Sequence, residues 1–173
     1  MAILCARSAL PTVEAVKTSP DPVLVVTAVL VLALLLAAWP RGHRSRPALV
    51  ASWALTPGVL NPEVTQRTIG STVCKRGWTR TIRPPVEYTN DLKLKQMRAY
   101  RVTGSPTRYQ EDHLISLELG GHPTDPRNLW PEPRPRADEV DRIENELNAK
   151  VCSGELSLRE AQLRESALKH RDG

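Results

Sequence analysis

Glu111, Asp112 and His113 stand in a row, and fifteen residues beyond His113 comes Asn128. The chain has only four histidines, so one placed directly after two carboxylates invites a chemical reading. Hydrolysis of a phosphodiester needs a base to deprotonate water and a cation to stabilise the phosphorane and the leaving oxygen. It also needs a rigid mount for both. His113 is the residue type for the base, and Asp112 is the type that ligates a hard divalent cation. Neighbours on an ideal strand point to opposite faces, so one local distortion must bring both to one site. A carboxylate from a later helix would complete the cation site. Asn128 could hydrogen-bond across the loop and hold the histidine strand in place. The competing readings are a structural histidine and an exposed turn carboxylate.

The elements that must position these residues follow from the pattern of the chain. "RYQEDHLISLEL" reads as a strand that His113 ends. "GGHPTDP" is a loop, and Asn128 opens a short second strand or turn. Gly120 and Gly121 are expected to serve a tight turn with positive φ. His122 is restricted by the proline after it and reads as a loop residue without a ligand partner. "PRADEVDRIENELNAKV" is the clearest helix: Val140, Ile143, Leu147 and Val151 recur at helical spacing, with Asp141, Glu144 and Asn148 on a neighbouring face. Gly154 breaks it, and Ser157-x-x-Glu160 restarts a helix with a capping box. The closing "KHRDG" is expected to fray. Upstream, "TQRTIGSTVCKRGWTRTIRPP" alternates polar and apolar residues, with a turn at Lys75-Arg76-Gly77. It reads as strand or short hairpin ended by Pro84-Pro85. "TNDLKLKQMRAYRV" predicts a short amphipathic helix capped by Thr89 or Asn90, with Leu92, Met97 and Tyr100 inward and Leu94 beside them. Trp78 and Trp130 read as packing residues.

The 173 residues, with 15 prolines and no phenylalanine, suit one modest, loop-rich domain with an appendage. The net charge of +5 is unevenly spread. Residues 67–108 carry a local +8 and residues 109–173 a local −5. A basic half beside an acidic half suits a polyanion surface next to a cation-binding centre. Arg76, Arg80 and Arg83 are candidates to track a phosphate backbone; an ordinary solvated face is the plainer alternative.

Val23 to Trp39 is an uncharged apolar run of 17 residues. That is the short end of a membrane span and the long end of a signal-peptide core. No good small-x-small cleavage site follows, which favours an uncleaved anchor. Flanking charges slightly favour a cytoplasmic C-terminus. Cys74 and Cys152 lie far apart and lack the short pairs of a zinc knuckle. Downstream of an apolar leader they suggest one disulfide and an exported domain, against two buried thiols. The expected organisation is a disordered stretch over 1–21, an anchor or signal segment over 22–39, a linker over 40–59, the domain over 60–165 and a flexible tail over 166–173.

"EDHLISLELGG...NLWPEP" resembles the HNH group of ββα-metal endonucleases, most closely small bacterial, actinobacterial and phage members with an "EDHLIPLELGG...NLWPEP" core. The similarity extends over roughly residues 56–162. The resemblance implies an α+β fold: a small ββα-metal domain with flanking strands and helices, here preceded by one N-terminal hydrophobic helix. It implies Asp112 as a metal ligand, His113 as general base and Asn128 as the brace of the loop. The final histidine of the family's name has no counterpart; Ala137 and Asp141 stand nine and thirteen residues beyond Asn128. In that subgroup an aspartate on this helix usually follows a lysine, whose place Val140 takes here. Asp141 is therefore the expected second ligand, with Asp138 and Glu144 as fallbacks. Ser116 replaces the usual proline after "DHLI", a departure expected to matter little. The implied activity is metal-dependent cleavage of nucleic acid, DNA before RNA, with Mg²⁺ or Mn²⁺ expected and Zn²⁺ possible in a histidine-containing site. The rival expectation is an exported HNH-like domain that binds nucleic acid or envelope without catalysis.

Overall fold

The structure, a computed structural model, describes residues 49–173 together with Val23. The apolar stretch to Trp39 otherwise lies outside the described residues, as do the expected disordered N-terminus and most of the expected linker. Among the described residues no helix is long and apolar enough to cross a membrane.

The fold is α+β: two antiparallel strands followed by two helices. Strand β1 (Tyr109–His113) pairs with β2 (Leu129–Pro133). Asp112 sits opposite Trp130 and His113 opposite Leu129. Two helices precede them, α1 (Trp78–Ile82) and α2 (Val86–Ala99). Two follow, α3 (Arg134–Ser153) and α4 (Leu158–Arg171).

α3 forms where the apolar stripe places it. Val140, Leu147 and Val151 are buried, and Ile143 packs at the edge. Gly154 ends the helix in the left-handed conformation, at φ 82°, which glycine adopts without a Cβ clash. Ser157 then caps α4 by accepting a hydrogen bond from the Glu160 N–H. The main core gathers Val64, Val73, Ile115, Leu119, Leu147, Val151, Leu158 and Ala161. A smaller cluster joins Ala51, Leu114 and Trp130, with Tyr100 against it. Trp78 borders the main core, so both tryptophans pack as expected.

Four local expectations are corrected. Residues 65–85 form no strand: Ile69–Ser71 is a 3₁₀ turn and Trp78–Ile82 is helical. Their apolar side chains point into the core from turns, so alternation did not mean extension. α2 starts at Val86, after Pro85, rather than at a Thr89 or Asn90 cap. Residues 51–59 are not a free linker. Ala51 and Thr56 are buried, and the backbone is laced to later segments through Gly58 N–H to Arg127 O and His122 N–H to Val59 O. Nor do residues 166–173 form a flexible tail. α4 runs to Arg171, Ser166 and Lys169 are buried, and the His170 ring stacks on Trp53.

The expected disulfide is present. Cys74, after the 3₁₀ turn, is bridged to Cys152 at the end of α3 across 78 residues.

Candidate functional site

The loop between the strands is built around one side chain. Asn128 is fully buried. Its Oδ1 accepts from the Ile115 N–H, and its Nδ2 donates to the carbonyls of Ile115 and His122, each at 3.0 Å. One amide thereby closes the turn that follows β1. Gly121 is required by this closure: a Cβ there would lie 1.7 Å from the Ile115 carbonyl oxygen. Gly120 has the expected positive φ of 78°, whereas Gly121 is there for close approach alone.

His113 ends β1, where the chain leaves the ladder. Its Nε2 lies 3.0 Å from the Pro123 carbonyl. A carbonyl only accepts, so Nε2 carries the proton and Nδ1 keeps the free lone pair. Burial lowers the His113 pKa below the ordinary histidine value, and the Asp112 carboxylate opposes it only in part. The imidazole is therefore neutral at neutral pH, with its Nδ1 lone pair unprotonated.

Asp112, His113, Asp141, Glu144 and Arg83 line one cleft of about 230 Å³. The strand end, the acidic face of α3 and the residue after α1 thus meet at one place. Asp138 does not line it, and neither do Arg76 and Arg80, both of which are exposed. Of the three arginines singled out from the sequence, only Arg83 reaches the site.

The centre of the acidic cluster is taken by a residue the sequence reading left in a flexible tail. Lys169 of α4 is wholly buried. Its Nζ donates to Glu144 Oε1 at 2.6 Å, to Asp112 Oδ2 at 3.0 Å and to the His113 carbonyl. Glu165, one turn earlier, lies 3.3 Å from the same ammonium. Glu165 Oε1 also accepts the Ser116 N–H at 2.9 Å. Ser116 therefore does matter: a proline there has no N–H to give.

Burial disfavours ionisation of Asp112, but the Lys169 ammonium beside it prevails and holds the carboxyl well below the ordinary carboxylate range. Burial raises the pKa of Glu144 and Glu165. Glu132, two residues along β2 from Trp130, is fully buried beside Asp112. Burial and the Asp112 charge push its pKa up to about 9, so it is protonated at neutral pH.

A signal for Lys169 did exist in the sequence. Leu158, Ala161, Glu165 and Lys169 recur at helical spacing and share the buried face of α4. That face carries charge, while Leu163 is 57% exposed. A search for apolar stripes passes over it.

Among the described residues no three His, Cys, Asp or Glu side chains converge as a metal group. Asp112, Glu118, Asp141 and Glu144 are the carboxylates that line the cleft, and Mg²⁺ commonly binds through one or two carboxylates while keeping its waters.

No protein-family model matches the chain, and neither the curated proteins nor the solved structures contain a significant match.

Proposed function

We propose that the chain is a metal-dependent HNH-like endonuclease that hydrolyses phosphodiester bonds in nucleic acid, DNA before RNA. The observation that carries this reading is the His113 imidazole. It is neutral, its tautomer is set by the Pro123 carbonyl, and it lines a cleft with Asp112, Asp141 and Arg83. In this reading the two strands and α3 are the ββα unit, and the Asn128-braced loop is its connection.

His113 Nδ1 takes the proton of the attacking water. Pro123 keeps the opposite nitrogen protonated, so the ring presents its lone pair and not an N–H. Arg83 supplies positive charge to a phosphate oxygen entering the cleft. Asn128 acts through the backbone, fixing the turn on which His113 depends. Asp112 and Asp141 would hold Mg²⁺ or Mn²⁺, which when bound supplies positive charge against the phosphorane and the leaving oxygen.

The test is nicking of supercoiled plasmid by the full chain in mild detergent, with Mg²⁺ or Mn²⁺ and with a chelator. Chelation should abolish nicking. His113→Ala should fold and lose about 10²–10⁴-fold in rate, the contribution of a positioned base. Nicking by His113→Ala at the wild-type rate would refute the assignment.

A second reading is a nucleic-acid-binding module without catalysis. It is favoured by Lys169, which already neutralises Asp112 and Glu144. DNA binding without cleavage in any divalent metal would select it.

A further inference from the structure

We infer that Lys169 is a positioning residue for the site: its ammonium pins the Asp112 carboxylate and the His113 carbonyl together, and so fixes the base at the mouth of the cleft. The inference rests on the reading of His113 as the base and extends the apparatus to the last turn of α4.

An ammonium has three N–H bonds. Lys169 directs them to Asp112 Oδ2, Glu144 Oε1 and the His113 carbonyl. No donor remains for a phosphate, and the side chain is fully buried, so Lys169 neither touches substrate nor relays its proton. What it does is mechanical and electrostatic. It joins one residue's side chain to the next residue's backbone, on the dipeptide that holds both proposed functional groups.

The anchor behind the ammonium is equally built. Glu165 shares the charge from one turn earlier and is itself held by the Ser116 N–H. Ala51 N–H bonds to the Lys169 carbonyl at 3.0 Å, and His170 is tied through Nε2 to the Thr56 carbonyl at 3.1 Å. The last turn of α4 is thus fixed on both sides. Asn128 holds the turn after His113, and Lys169 holds the strand end at His113 itself.

The paired variant Lys169→Met with Glu165→Gln removes one positive and one negative charge. The amide introduced by Glu165→Gln still offers the Ser116 N–H an acceptor, and replacing a buried ion pair by uncharged groups is often tolerated. The full chain carrying ¹⁵N-labelled histidine gives a simple spectrum, since there are four histidines, and His113→Ala assigns the one of interest. In the wild type and in Glu165→Gln alone, His113 should show an Nε2-protonated ring with a slowly exchanging proton. In the paired variant that proton should exchange rapidly, and nicking should fall about 100-fold relative to Glu165→Gln, as expected for a misplaced base. Should the paired variant not fold, Lys169→Gln with Glu165→Gln takes its place, with the same expected loss. A folded variant that keeps the protected His113 proton overturns the inference. If the wild type never nicks DNA, the nuclease reading fails, and the His113 resonance alone decides the role of Lys169.

Discussion

The Nζ of Lys169 stands 3.0 Å from Oδ2 of Asp112, across 57 residues of chain, with both side chains buried. Burial opposes both charges, yet each shifts toward its ionised form because the other is there. The pair joins the end of the chain to the strand that carries His113, so events on α4 bear on the cleft.

Ser116 offers a direct probe of that link. Its φ of −60° suits proline, so Ser116→Pro keeps the backbone and removes the N–H that Glu165 accepts, together with a buried hydroxyl that has no partner. Leaving a buried acceptor without its donor costs about 1–3 kcal/mol. Urea unfolding should show a loss in that range. An unchanged midpoint would mean that Glu165 does not need the bond.

Asn128→Ala removes three hydrogen bonds at 3.0 Å, two of them buried and one partly buried, and takes the side-chain partner from the Ile115 and His122 groups. The expected loss is about 3 kcal/mol or more. Amide exchange should locate it, with protection falling first at Ile115.

Asp141 lines the cleft and Asp138 does not. The Mg²⁺ concentration that gives half-maximal nicking should rise about tenfold or more in Asp141→Ala, since even outer partners of a metal ligand contribute on that scale. Asp138→Ala should leave it where it was. The opposite ranking would move the second ligand along α3.

Reducing Cys74–Cys152 releases a loop of 78 residues. The chain-entropy relation gives a loss of about 4.5 kcal/mol. Thiol labelling of denatured, unreduced protein from its native compartment should find neither cysteine reactive, and Cys74→Ser should melt lower by the amount that reductant causes.

Neither carboxyl oxygen of Glu111 meets a donor. Burial pushes its pKa up to about 8, against the pull of Lys93 and with the help of the Asp112 charge. The folded state therefore holds this proton more tightly than the unfolded chain does. Its contribution to stability is full below the ordinary glutamate value of about 4.3 and is lost as pH rises through the folded value. Glu111→Gln should raise the melting temperature at about pH 9 relative to about pH 5, by about 3 °C or more. An equal change at both would show that Glu111 ionises normally.

Local spacing carried much of this architecture. The step from His113 to Asn128 sets the size of a loop that one side-chain amide can close, so strand, turn and brace were readable together. The apolar stripe of α3 and its end at Gly154 were readable because a helix repeats its own face. Extension over 65–85 was misread because alternation reports only which residues are apolar. There the core, with the bridge from Cys74 to α3, takes them from turns and a short helix. Lys169 shares the helical spacing of Leu158, Ala161 and Glu165, but no apolar pattern marks it as buried. Its value as a buried cation depends on Asp112 and Glu144, which are remote in sequence and meet it only when α4 packs across the strand end. The sequence by itself determined which residues could act as base, brace and acid. The tertiary structure decided which acids share the cleft and which cation balances them, because charge compensation in a buried site depends on distances that only packing sets.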